Sequence, residues 1–203
     1  MTIKTDKYPA LYQAALELFA NFGYQKTTVE DVADKLSMTK GNLYFYVKNK
    51  KQLYEQTIAH ALTQWQEYVK KAVDKRTDPV DKFQTMAISA LAYIEKNAPL
   101  RRVIMNDPDI FTLSPKEDRF TEINQAAMEI LRQILEQGIK QKCFYPMNVD
   151  QVTVYLFSVY MMFLIKTYVK SDQTSPKKLF ATAVELNLRG LLIKDTKKQD
   201  PDK

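Results

Sequence analysis

The sequence predicts an all-α fold, and three observations carry that prediction. Glycine is scarce, with four in 203 residues. Apolar residues recur every three or four positions through most of the chain, and strict apolar/polar alternation is almost absent. A length of 203 residues holds one large domain, or a small one followed by a larger one, with ample core. The helix starts and stops favour the second arrangement: a unit at 1–53, a longer helical unit at 54–193 and a tail at 194–203.

Taken in order, the first helix begins at Pro9, whose fixed φ suits a first helical turn, and carries Leu11, Ala15, Leu18, Phe19 and Phe22 on one face until Gly23 stops it. Thr28 followed three residues later by Asp31 opens a second helix as a capping box, with Val29, Val32, Ala33 and Leu36 inward. Ser37 and Met38 form a tight turn, Met38 being its apolar plug; a glycine would be more relaxed at Ser37 if the backbone needs positive φ. Thr39 caps a third helix over 40–46, too short to be stable unless docked. Leu43, Val47 and Leu53 complete the small core.

Asn49 caps a long helix running through Leu53, Ile58, Leu62, Trp65 and Val69 to about Lys75, the mechanical connection between the two units. A helix carrying Phe83, Ala87, Ala90, Leu91 and Ile94 follows Pro79 and ends before Asn97. A short helical piece over 100–106 leads to a proline-bearing loop at 107–115. The next amphipathic helix spans 116–141, where Gly138 costs a little near its end. Asn148 and Gln151 cap an apolar helix over 149–169, and after a turn at 171–176 the last helix spans 177–192. The final ten residues have nothing to bury and are expected to be disordered.

The third helix presents Lys40, Gly41, Asn42, Tyr44 or Phe45, and Tyr46 to solvent, and Lys48, Lys50 and Lys51 follow it. No acidic residue occurs between Thr39 and Lys51. That inventory suits the major groove of duplex DNA and its phosphates. Lys40 and Asn42 suit base edges, because a long donor and a bifunctional amide reach purine N7 and O6 or N6. Gly41 lets the backbone approach. Tyr44, Tyr46, Lys50 and the Thr28 hydroxyl suit phosphates. A net charge of +6 and a pI near 9.1 agree with an anionic partner, although a lysine-rich surface alone would give the same number; the clustering makes the charge informative.

These residues resemble the tetracycline-repressor (TetR) family of bacterial transcription regulators. The likeness rests on Thr27-Thr28-Val29, Asp31-Val32-Ala33, Thr39-Lys40-Gly41, and Leu43-Tyr44-Phe45-Tyr46 followed by Lys48-Asn49-Lys50, with Ala14-Ala15, Leu18-Phe19 and Gly23-Tyr24 upstream. It covers roughly the first quarter of the chain. Ser37 replaces the usual turn glycine, and Val47 a common Phe. The resemblance implies an N-terminal three-helix helix-turn-helix DNA-binding domain and a C-terminal helical ligand-binding and dimerisation domain. It supports the division between base and phosphate contacts, and extends the DNA-contact set to Thr27, Thr39 and Phe45. It also implies a homodimer on a palindromic operator, and repression more often than activation.

Elsewhere the residues exclude more than they assign. A single Cys143 excludes an internal disulfide framework, and a single His60, flanked by alanines, excludes a Cys/His metal cluster and supports no triad. Asp107 and Asp109 around Pro108 read as loop capping or a solvated loop rather than a metal site. No cofactor is expected. The amino terminus lacks a signal-type apolar run, and the longest apolar run, 154–165, is well short of the ~20 residues a bilayer needs, so no membrane partner and a cytoplasmic location are expected. The 149–169 helix, apolar nearly all round, and the stripe Leu179, Phe180, Ala183, Leu186 and Leu192 suit a four-helix interface between two copies.

Met86, Tyr93, Met105 and Phe111, with Met128, Tyr155 and Met162, are the expected lining of an effector cavity; adaptable Met and polar-tipped Tyr suit a small, mainly apolar effector. The reading is therefore a ligand-responsive, sequence-specific DNA-binding regulator and not an enzyme. Two alternatives stand beside it. One is a ligand-independent helical DNA-binding protein. The other, an enzyme that binds a small molecule, lacks a Gly-rich phosphate loop, a nucleophile elbow and a metal set.

Overall fold

A computed structural model describes residues 7–112, 114, 116–169 and 176–193, and among these every named element is helical. The expected disordered tail and most of the turn before the last helix lie outside the described residues. Helix α1 (Lys7–Lys26) is interrupted at Gly23, where φ is 77° and ψ 168°. A side chain would be strained there, which is why a glycine stands at that point. Beyond it, the Thr27 hydroxyl donates to the carbonyls of Gly23 (2.9 Å) and Leu18 (3.3 Å) and closes the helix.

Helix α2 (Val29–Lys35) starts with the expected capping box: Thr28 Oγ1 accepts from the Asp31 N–H (3.1 Å), and the Asp31 carboxylate accepts from the Thr28 N–H (2.7 Å). That reciprocal bonding holds the Asp31 carboxyl below the usual carboxylate range. In the turn, Ser37 takes φ 52°, so the family glycine it replaces would indeed be the relaxed choice. Helix α3 (Lys40–Tyr44) is capped by Thr39, whose hydroxyl accepts from the Asn42 N–H (3.2 Å). It ends two residues before the expected 46 because the N–H groups of Tyr46 and Val47 both turn back on the Leu43 carbonyl. Leu43 and Val47 are buried beside Val29, Val32 and Ala33, which docks this five-residue helix.

Helix α4 (Lys50–Asp74) is one continuous element capped by Asn49, so the sequence-level division at residue 53 falls inside its first turn. It packs on α1 and then on α5 (Pro79–Lys96) and α7 (Thr121–Lys140). Between those last two lie α6 (Ala98–Asn106), capped by Asn97, and a 3-10 turn at Pro108–Ile110. Helix α7 starts five residues later than the periodicity suggests. The cause is Asp118, which accepts from the N–H of Phe120 and the amide of Asn124 while its carbonyl accepts from the Thr121 hydroxyl, fixing a turn where a helix would otherwise begin.

Gly138, read from sequence as a small cost, is required by packing. A Cβ there would lie 2.0 Å from a ring carbon of the fully buried Phe144. The segment holding Phe144 is tied to the end of α9 (Pro176–Leu191): the Tyr145 N–H donates to Leu191, and the Ile193 N–H to Cys143. Helix α8 (Val149–Leu164) continues as a π-helical turn, Ile165–Val169. Because of that continuation, Val149–Thr167 is long and apolar enough to cross a membrane by length and composition, a longer stretch than the 154–165 run. Its Leu156, Met161, Phe163 and Leu164 are nevertheless packed into the helical body, while Val154, Tyr155 and Met162 stand on the surface.

Candidate DNA-reading surface and effector cavity

The exposed side of α3 gathers the side chains that the sequence singled out. Gly41, Asn42 and Tyr44 are exposed, and Phe45 is 78% exposed, an unusual position for a bare phenyl ring. Apart from its chain neighbours and its own helix backbone, no atom lies within 4 Å of where a Gly41 Cβ would be, so a surface can approach the backbone there. The Lys40 ammonium pairs with Glu30 of α2 and sits 5.9 Å from the Tyr44 ring centroid. Its hydrogen bond with Glu30 raises the lysine's pKa and lowers the glutamate's. Any contact of Lys40 with a base must therefore displace this surface ion pair, which solvent already screens.

Tyr46 is half-buried, its ring edge-on to Tyr8 at 5.3 Å. Lys50 donates to the Gln25 carbonyl (3.0 Å) and lies 4.5 Å from the Tyr24 ring centroid, so it also fastens the end of α1. Thr28 and Thr39 keep their hydroxyls at the exposed helix starts. Thr27 is a correction. It is 1% exposed with its hydroxyl spent on α1, so its side chain does not reach the surface.

A second feature is a cavity among α4, α5, α7, α8 and α9, enclosing about 1040 Å³ of empty space including its open mouth. Of the seven expected lining residues it contains Met86 and Phe111. Met105, Tyr155 and Met162 are instead 52%, 56% and 48% exposed. Tyr155 sits on the outer side of α8 and donates to Asn187 (3.1 Å). Tyr93 stacks on Trp65 with 7° between the ring planes, behind the wall, and Met128 is half-buried on α7 outside the lining. A helical period places residues on a common stripe but does not say which stripe borders empty space. The lining that the sequence did not single out includes the rings of Trp65, Phe157, Tyr160 and Phe180 and the amides of Gln66 and Asn124. Gln66 carried one legible signal: an amide set between the apolar positions Leu62, Trp65 and Val69 of one helix.

Between cavity and α1 lies a polar link. The buried Tyr54 hydroxyl on α4 donates to Asp107 Oδ2 (2.7 Å), which also accepts from Arg119 (2.8 Å). Burial, then the bond to Asp107, pushes the Tyr54 phenol well above its ordinary value. The same ring packs edge-on against Phe19 and Tyr24 of α1, each at 4.9 Å. Asp107 and Arg119 bracket the segment that carries Phe111 into the cavity wall. Among the described residues no cluster of three or more His, Cys, Asp or Glu could hold a metal ion.

Known proteins resemble the chain in both sequence and fold. Residues 11–57 match the model of the bacterial regulatory proteins of the tetR family. Those residues form a TetR-type DNA-binding domain. It is 26% identical over 147 residues to the HTH-type transcriptional repressor KstR2 of Mycolicibacterium smegmatis, covering 72% of this chain and 71% of that protein. The HTH-type regulator YhgD of Bacillus subtilis is 23% identical over 185 residues, covering 89% and 94%. In fold, the chain is similar to the transcriptional regulator FadR of Bacillus subtilis, solved in complex with stearoyl-CoA: TM-score 0.73, 18% identity, 91% of this chain and 99% of that one. These matches support a transcriptional regulator of the TetR type, built on a helix-turn-helix.

Proposed function

We propose that the protein is a ligand-responsive, sequence-specific repressor, released from a palindromic operator by a small, mainly apolar effector. The observation that carries this reading is the exposed side of α3, where Gly41, Asn42, Tyr44 and Phe45 project with lysines beside them and no carboxylate on the helix itself. Asn42 and Lys40 read base edges; Thr28, Thr39, Tyr44, Tyr46 and Lys50 hold phosphates; Phe45 makes apolar contact in the groove. Thr27 acts from within, by closing the end of α1.

Two copies associate through the outer faces of α8 and α9, where Val154, Tyr155, Met162, Leu179 and Leu186 are exposed. The pair presents its α3 helices to successive major-groove faces about 34–36 Å apart, or a multiple of that spacing. An effector in the cavity presses on α4 and on the Phe111 segment, and the Tyr54–Asp107–Arg119 link passes that displacement to α1. A coupling of roughly 1–3 kcal/mol changes operator affinity about 5- to 150-fold. Support comes from KstR2, which is named a repressor, and from the stearoyl-CoA bound to FadR.

Selection of bound fragments from a genomic library tests the reading. Enrichment of a palindrome with half-sites one helical turn apart, or a multiple, is the expected result. Recovery of unrelated fragments in proportion to their length would favour a binder without sequence preference and overturn it.

A further inference from the structure

The chemistry of the cavity wall narrows the effector class. This step rests on the cavity being the effector site. The described lining carries aromatic rings and aliphatic side chains, and its polar groups are neutral: the amides of Gln66, Asn124 and Asn187, the Tyr160 hydroxyl and the indole N–H of Trp65. Several are already committed. The Trp65 N–H donates to the Ala90 carbonyl (2.9 Å), and Asn187 bonds Tyr155 and the Ala183 carbonyl. Asn124 gives its NH2 to both oxygens of Asp118, at 3.1 and 3.0 Å, which leaves its Oδ1 as the acceptor a ligand can use. Gln66 brings an amide able to donate and accept.

Asp118 sets the electrostatics at that end. Its carboxylate lies directly behind Asn124, while the neighbouring guanidinium of Arg119 is taken by Asp107. An anionic headgroup brought to Asn124 would meet an acceptor oxygen backed by a negative charge. A hydroxyl would meet an acceptor it can donate to. We infer that the cavity selects uncharged apolar molecules carrying a hydroxyl group over the matching carboxylates, with Gln66 and Asn124 as the specificity-determining residues and Asp118 as the group that rejects the anion.

Trp65 is the chain's single tryptophan and lines the cavity, so its fluorescence reads occupancy directly, without DNA. The full chain is titrated at neutral pH with 1-decanol and with decanoate, which share a chain and differ in headgroup charge. Decanol is expected to change the Trp65 emission saturably and to bind at least about tenfold more tightly than decanoate. Asp118→Asn, which keeps an acceptor for the Asn124 amide, should narrow that gap several-fold by improving decanoate. Gln66→Leu should weaken decanol several-fold more than decanoate, and thermal melts verify that both variants fold. Decanoate binding as tightly as decanol, no saturable response to decanol, or a gap unchanged in Asp118→Asn would each overturn the inference. Failure here leaves operator selection untouched, and failure of operator selection leaves the headgroup preference measurable.

Discussion

The proposed DNA-reading surface and the proposed effector cavity are built in opposite ways. The first comes from Thr28 and the consecutive residues 39–51, and each helix start is fixed by a side chain three residues from its partner. The second is assembled from five helices and the Phe111 segment, drawing residues from 62 to 187. The first is a convex ridge with exposed polar and aromatic tips; the second is concave, aromatic and nearly without free polar groups. A small core holds the one, and long-range packing holds open the other. The contrast teaches that local chemistry carries the exposed ridge, whereas the cavity exists only after the whole helical layer has closed.

Removing the buttress under α3 should separate the two regions most sharply. Leu43 is 0% exposed, and Leu43→Ala should cost about 2–5 kcal/mol through lost burial and the cavity left behind. Operator binding in gel shift should vanish while the Trp65 cavity signal persists. Loss of both together would show that the regions fold as one. Tyr54→Phe tests the link between them. Deleting a hydrogen bond to a carboxylate should cost about 1.5–3 kcal/mol in denaturant unfolding and reduce the shift in operator affinity on effector binding. A variant of unchanged stability and coupling would remove Tyr54 from the relay.

Gly138→Ala acts on the packing of α7 against Phe144. Helix propensity favours alanine by ~1 kcal/mol, but the clash with Phe144 should outweigh it and destabilise by about 1–3 kcal/mol. A raised melting temperature would show that Phe144 yields freely. The smallest effect concerns His60, whose ring lies 5.2 Å from that of Tyr12. Burial pushes its pKa below the ordinary 6.5, against a weaker opposing pull from Glu67. The unfolded chain therefore binds this proton more readily. The stability from the neutral imidazole is full above pH 6.5 and declines as pH falls below it. Because the chain has one histidine, NMR titration reads it cleanly, and a midpoint at or above 6.5 would contradict the burial.

What could be read from the sequence follows the same division. Thr28 with Asp31, Thr39 and Asn49 mark helix starts through short-range bonds, so α2, α3 and α4 were legible almost to the residue. The late start of α7 was not, because Asp118 prevails over an apolar period that continues through it. Tyr155 and Met162 share a helix with Leu156 and Met161, yet face outward. On a helix apolar nearly all round, period alone cannot assign a side. Thr27 looked like its neighbour Thr28, but the break at Gly23 turns it inward.

The most direct test of the proposed role of α3 compares Asn42→Ala with the unaltered chain on two duplexes, the selected operator and a random sequence of equal length, at one salt concentration. Loss of a bidentate base contact should weaken operator binding by about 1–3 kcal/mol, roughly 5- to 150-fold, and relax preference at one base pair per half-site while leaving random DNA unaffected. Equal weakening on both duplexes would contradict base reading by this helix.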